Sequence, residues 1–318
     1  MAGFPVAGEA YAGRYTVVRE LGHGRAGTVY EAHDPVLDRP VALTVVVPSL
    51  ADRGGYQDRF AREAAALARI RSRHVVGIHE YGEHDGTVYA VTQFFPDGDL
   101  ERWLEHRGPL DRADALRLVA EVCQGLADAH DVGVVHGDVR PEAVLLWQQP
   151  DGLVPYLRDL GVVGGNEQHL APDGAMVGTP AWMPPERHFG HPADERGDVY
   201  GAGCLLWATL TGRAPYAGTD FQTVNAHIND PVPQLPGDDA VDERINAVLA
   251  AAMAKSPEDR TTSASELRVR LLHVLHELQR STQGAEADDE PRSQRLLHWA
   301  LACVVLAVAI GVVALALS

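Results

Sequence analysis

His136-Gly137-Asp138-Val139-Arg140-Pro141-Glu142-Ala143 runs straight into the apolar triplet Val144-Leu145-Leu146, and Asp159-Leu160-Gly161 follows about twenty residues after Asp138. Reading outward and upstream, Gly22-His23-Gly24-Arg25-Ala26-Gly27-Thr28-Val29 has the form GxGxxGxV. Alone that form is ambiguous, because a dinucleotide-binding turn uses the same glycines. Such a turn leads from a strand into a helix. This one continues as a second strand, TVYEAH, then a turn and a third strand, and a glycine hairpin between two strands lies over phosphates like a lid. Reading downstream come Gly178-Thr179-Pro180, Pro184-Pro185-Glu186, Asp198-Val199-Tyr200-Gly201-Ala202-Gly203 and Ser256-Pro257-Glu258-Asp259-Arg260. Each run is common alone. Their order over about 240 residues is not.

The segments between the motifs have their own periodicity. Residues 15–45 alternate apolar and polar around glycines, as a run of β-hairpins does. Residues 56–72 place Phe60, Ala64, Leu67 and Ile70 on one helical face. Residues 86–95 are strand-like, and helices dominate from Asp111 onward, most clearly over 111–130. The fold class this predicts is α+β: a small β-rich N-lobe with one helix, about 15–95, and a larger helical C-lobe, about 96–278. Residues 1–14 are expected to be a tail. The acidic stretch within 279–295 is expected to be a flexible linker. From Leu296 to Leu317 there is no Asp, Glu, Lys or Arg. As a helix, 296–317 is ~33 Å long, enough to cross a bilayer core. Trp299 at its entry edge and the flanking Arg292 and Arg295 favour an orientation with the rest of the chain in the cytoplasm. The expectation is a single-pass C-terminal anchor in the cell membrane, with the folded domain on the cytoplasmic side and partners near that surface. The ladder Cys303, Ala307, Gly311 would support at most a weak homodimer.

Composition narrows the function further. The chain has 318 residues, 46% of them hydrophobic and 22% charged, and a formal net charge of −17. That apolar content excludes disorder throughout. The acidic balance excludes nucleic acid as a partner, since binding it needs a basic face. Cys123, Cys204 and Cys303 make no metal-like spacing. Of the 27 basic residues, 26 are Arg and one is Lys, Lys255. Any chemistry that needs a lysine must use Lys255 or do without.

Together the motifs resemble the eukaryotic-like bacterial protein kinases, most of all the membrane-anchored Ser/Thr kinases of actinobacteria, over about 264 of the 318 residues. The resemblance implies a bilobal protein-kinase-like fold and five polar positions for phosphoryl transfer. Asp138 matches the aspartate that accepts the substrate hydroxyl proton, and Arg140 is counted with it as catalytic. Asp159 matches the metal-binding aspartate. Glu63 matches the helix-C glutamate that pairs with a strand-three lysine. That lysine is replaced by Thr44 in Val41-Ala42-Leu43-Thr44, and the second metal ligand, an asparagine, is replaced by Ala143. The N-lobe holds no lysine, and Arg25 in the glycine loop is the nearest cation in sequence to stand in. Removing one electrostatic group of this kind costs about 10²–10³ in turnover.

The resemblance also assigns a binding frame. Gly22, Gly24 and Gly27 cover the phosphates. Val29, Ala42 and Leu145 sandwich adenine, Thr92 is the gatekeeper, and Gln93 and Phe94 offer hinge backbone. His136, Leu67 and Leu160 stack between the lobes on Asp198, and Glu186 pairs with Arg260. The regulatory arginine of the family is Gly137 here, and Thr179 is the only hydroxyl residue between Asp159 and Glu186. The reading implied is a pseudokinase-like regulatory module with weak ATP or ADP binding, little gain from Mg²⁺, and an unidentified protein partner or substrate. Two alternatives stay open: an unconventional active Ser/Thr kinase that uses Asp138 and Asp159, and a passive membrane scaffold.

Overall fold

A computed structural model of the chain describes residues 5–23, 27–46, 67–160, 179–237 and 239–288, with side chains as far as Ser281. It forms two compact units, Met1–Val274 and Leu275–Ser318. The first opens with β1 (Ala10–Tyr11), β2 (Tyr15–His23), β3 (Gly27–Asp34), β4 (Arg39–Val46), β5 (Ile78–His84) and β6 (Thr87–Gln93). They make one antiparallel sheet in the order β1-β2-β3-β4-β6-β5.

Period-two alternation splits these strands into two faces. Tyr30, Leu43 and Val91 are paired across β3, β4 and β6. With Tyr11, Tyr15, Val17, Ala32, Val41, Val45 and Tyr89 they form a buried cluster on one face. The other face carries Val29 opposite Thr44, and Ala42 opposite Thr92. All four are half-buried. Glycine at position 27 lets β3 start hard against β4, because a Cβ there would stand 1.9 Å from the Val45 carbonyl oxygen. The sheet begins earlier than the sequence suggests. The expected tail contributes β1, and Arg14 donates to both oxygens of buried Asp34 at 3.0 and 2.7 Å and to Glu80 at 3.0 Å. The Tyr15 and Tyr89 hydroxyls also donate to Glu80, each at 2.8 Å.

The C-lobe comprises α1 (Leu100–Arg107), α2 (Arg112–His130), the hairpin β7 (Val144–Gln149) and β8 (Gly152–Leu157), α3 (Pro185–His188), α4 (Glu195–Thr211), α5 (Asp220–Asn229), α6 (Ala240–Ala252) and the start of α7 (Ala264–Asp288). Side-chain oxygens of Asp99, Asp111, Asp194, Thr219 and Asp239 cap α1, α2, α4, α5 and α6. Each satisfies an orphan backbone N–H, worth roughly 1 kcal/mol per cap. α4 is buried on all sides from Asp198 to Thr209, which makes it the core helix of the lobe. α2 and α6 pack against it.

In the second unit α7 continues to Asp288, and Ser281 Oγ donates to the Glu277 carbonyl at 2.8 Å. The first ten residues of the expected linker, 279–288, are therefore helical; no proline occurs between Pro257 and Pro291 to stop the run. Among the described residues no helix is long and apolar enough to cross a membrane. The segment 296–317 lies outside them, as do Glu63, Gly24, Arg25 and most of the expected helix over 56–72.

Candidate functional site

The loop that carries Asp138 hangs from α4. The Asp198 carboxylate accepts the backbone N–H of His136 at 2.8 Å and of Gly137 at 2.7 Å, and His130 Nε2 lies 2.8 Å from it. Asp198 is 1% exposed, so it needs all of these partners. Burial works against protonation of His130, but the hydrogen bond and charge of Asp198 outweigh it and hold its pKa above the ordinary value. Gly137 sits at φ 75°, and a Cβ there would meet Ala193 Cβ at 3.1 Å. The residue that stands in place of the family arginine is thus suited to a left-handed turn.

Beyond the turn, Arg140 Nε donates to Asp138 Oδ2 at 2.8 Å, and the same guanidinium pairs with Glu142. A single 3₁₀ turn over Pro141–Ala143 then feeds β7. Antiparallel pairing of β7 with β8 returns the chain to Arg158, whose N–H donates to the Ala143 carbonyl at 3.0 Å. Asp159 follows at φ 62°. An aspartate in the left-handed region is strained, and such strain gathers at functional positions. Its side chain is 61% exposed and lies 3.3 Å from Arg158 Nε. Two aspartates and two arginines thus stand at the end of the β7–β8 hairpin, each aspartate with its own guanidinium.

Of the expected apolar frame, Val29, Ala42 and Thr92 lie on one face of the N-lobe sheet, and Leu145 lies on β7. Val29, Ala42, Thr92 and Leu145 are half-buried, whereas their strand neighbours Val41, Leu43, Val91, Val144 and Leu146 are fully buried. Alternation of that kind lines an open cleft. Leu146 N–H donates to the Gly98 carbonyl at 2.9 Å, which ties the β7 floor to the segment after Gln93 and Phe94. Phe95 anchors that segment against Tyr156, with ring centroids 4.6 Å apart. Gly22 ends the β2 side of the glycine hairpin at φ 154°, and Gly27 opens β3.

Thr44 lies on the cleft face beside Val29 and Ala90. No lysine replaces its missing ammonium. Lys255 Nζ donates to Tyr216 Oη at 2.9 Å, to the Ala226 carbonyl at 3.0 Å and to the His227 carbonyl at 2.8 Å. Those three bonds use all three of its protons. Burial pushes its pKa down to about 8. Lys255 is a brace for the last turn of α5. Arg158 escaped the motif reading because it falls between motifs. Its signal is a basic side chain directly before Asp159.

The donor set does not fit a divalent cation. Asp159 is a single carboxylate already beside a guanidinium, Ala143 has no ligand atom, and among the described residues no group of three His, Cys, Asp or Glu is placed to hold a metal. Asp159, the metal ligand that the resemblance implies, is thus paired with Arg158 in this structure.

The opposite side of the lobe is complete. Arg260 makes a double hydrogen bond to Glu186 at 2.7 and 2.6 Å, with its own side chain fully buried. His227 Nε2 lies 3.0 Å from the Ala181 carbonyl, in the turn after Thr179, and Nδ1 lies 2.7 Å from Tyr200 Oη. A carbonyl only accepts, so Nε2 carries the proton and the tyrosine donates to Nδ1.

A family model described as the protein kinase domain matches residues 15–272. Serine/threonine-protein kinase PknE of Mycobacterium tuberculosis is 36% identical over 260 residues, 80% of this chain and 45% of that protein. PknD of the same organism is 35% identical over 263 residues, 81% of this chain and 39% of that protein. The chain thus spans less than half the length of these curated relatives. Among solved structures, the PknI kinase domain of M. tuberculosis is similar at TM-score 0.65 and 27% identity, covering 85% of this chain and 99% of that one.

Proposed function

The chain belongs to the protein kinase domain family, and from that premise we propose that it is a catalytically impaired member: a nucleotide-binding regulatory module, held at the membrane by residues 296–317, that acts through a protein partner. One observation carries the reading. The only lysine in the chain is spent on three acceptors in the C-lobe, while Thr44 occupies the place of the strand lysine. Nothing among the described residues offers an ammonium to the nucleotide phosphates. The half-buried frame of Val29, Ala42, Thr92 and Leu145 supports retention of adenine, with Gln93 and Phe94 supplying backbone groups. The glycines at 22, 24 and 27 would cover the phosphates.

A second reading, an unconventional Ser/Thr kinase, has its own support. Asp138 keeps its fixed loop and its Arg140 partner, and Asp159 keeps a strained backbone. In that case Asp138 would accept the hydroxyl proton of a protein substrate, and Arg140 would hold the carboxylate in place.

Transfer of labelled phosphate from ATP separates the two. The full chain is expected to show none above an Asp138→Ala control, with Mg²⁺ present. Robust transfer that the control abolishes would establish the enzyme reading instead. Separately, the intact chain should stay with membranes through carbonate washing, and a variant without 296–318 should not.

A further inference from the structure

The cleft retains an adenine frame but has lost the groups that meet phosphate charge. A metal-free nucleotide brings several negative charges toward Asp138 and Asp159, and two bare carboxylates would repel it. They are not bare. Arg140 pairs with Asp138 at 2.8 Å, and Arg158 stands 3.3 Å from Asp159. The two arginines differ in what they have left to give. Arg140 is 15% exposed and is shared between Asp138 and Glu142. Arg158 is 28% exposed, and its Nε is buried without a hydrogen-bond acceptor, since its approach to Asp159 is an ion pair without hydrogen-bond geometry. That Nε is closed to a ligand, so what Arg158 has left to give is the part-exposed remainder of its guanidinium.

The backbone fixes where that donor lies. Arg158 N–H is bonded to the carbonyl of Ala143, which stands where the family has a metal-binding asparagine, and Arg158 directly precedes Asp159. Arg158 therefore joins the two positions: its backbone N–H meets the Ala143 carbonyl, and its guanidinium lies beside Asp159. Its planar fork matches the oxygens of a phosphate, and it carries its charge at any physiological pH.

We propose that Arg158 is a phosphate-binding residue, and that it makes this cleft a site for nucleoside di- and triphosphates that needs no divalent cation. This rests on the nucleotide-binding reading above. Arg158 performs two tasks at once. It neutralises Asp159, so that the carboxylate neither repels phosphate nor recruits a metal. It also offers its remaining N–H groups to the phosphate oxygens in place of the lysine missing at Thr44.

The test is calorimetric titration of the full chain with ATP, ADP and adenosine, in EDTA and in excess Mg²⁺. For the unaltered chain, ATP affinity should agree within about threefold between the two buffers, and ATP should bind more tightly than adenosine. Arg158→Gln should weaken ATP by about 10–100-fold, the loss of one charge-assisted phosphate contact, and leave adenosine unchanged. Arg158→Lys should fall between, keeping charge without the fork. Binding of ATP that appears only with Mg²⁺ would overturn the proposal. So would an Arg158→Gln variant that binds ATP normally, or one that loses ATP and adenosine equally. If neither ligand binds the unaltered chain, the nucleotide-binding reading falls and this one with it. If adenosine binds and the three phosphate tests fail, only the role of Arg158 falls.

Discussion

The Glu186–Arg260 side of the C-lobe and the side around Thr44, Ala143 and Asp159 lie in one compact unit, yet they treat charge in opposite ways. In the first, Arg260 meets both oxygens of Glu186, Lys255 uses three protons on three acceptors, and His227 is bonded through both ring nitrogens. In the second, Thr44 and Ala143 have shed polar groups, and Asp159 is exposed with one ion-pair partner. The difference follows burial. A buried charge stripped of its partner costs several kcal/mol, so the loss of one member of a pair strongly destabilises the interior. A cleft group faces water, and its loss removes chemistry without removing stability. The lesson is that the fold and the reaction of this family rest on separate sets of polar residues.

That contrast can be broken by mutation. Arg260→Ala leaves Glu186 buried and alone, so stability should drop by about 3–5 kcal/mol and the melting temperature by roughly 6–20 °C. Asp159→Asn in the cleft should change stability by no more than about 0.5 kcal/mol. Equal losses, measured by calorimetric melting of the full chain, would erase the distinction.

A smaller effect lies in pH. Burial, reinforced by nearby Lys255, pushes the His227 pKa down to about 3, although its bond to Ala181 works the other way. In the unfolded chain a histidine titrates near its ordinary value of about 6.5. Between those values the unfolded state binds the extra proton, so the stability from neutral His227 is present above about pH 6.5 and lost as pH falls toward 3. The melting temperature should fall from pH 7 to pH 4, and His227→Gln, which keeps one donor and one acceptor, should flatten that slope. An unchanged slope would mean that His227 is not the neutral link between Tyr200 and Ala181.

The smallest thermal effect should come from refitting the cleft. Thr44→Lys, Ala143→Asn and Arg158→Ala together restore an ammonium and a metal ligand and clear Asp159. Thr44→Lys and Arg158→Ala by themselves should move the melting temperature by less than roughly 4 °C, since both residues are half-buried, whereas Ala143 is 2% exposed and Asn there adds a packing cost. Mg²⁺-dependent phosphate transfer should rise above the Asp138→Ala background. Continued silence would mean that the cleft is deficient beyond these positions.

Much of this was legible in the residues themselves. Alternation over 15–45 and 86–95 predicted β2 to β4 and β6, and the capped periodicity of 111–130 predicted α2. The Glu186–Arg260 pair and a structural role for Asp198 were also foreseen, from the family resemblance of the motifs that carry them. Three features were hidden. β1 is only two residues long, and its docking depends on Arg14 meeting Asp34 and Glu80, 20 and 66 residues away. The reach of α7 to Asp288 was obscured by an acidic, polar composition that suits linkers and exposed helices alike. Arg158 belongs to no motif; the β7–β8 register and its bond to Ala143 are what place its backbone at the end of the Asp138 loop.

The three hydrogen bonds of Lys255 carry a consequence for covalent chemistry. Acetyl transfer, ubiquitin conjugation and amine-directed cross-linkers all need the lone pair of a side-chain amine, and this chain has a single such amine. In the folded protein its protons are committed to Tyr216 and to the carbonyls of Ala226 and His227. Lysine-writing enzymes therefore have no open target on the native domain. Conversely, acylation of Lys255 marks molecules in which α5 has lifted from its brace, and its rate is a residue-resolved clock for opening of this side of the C-lobe.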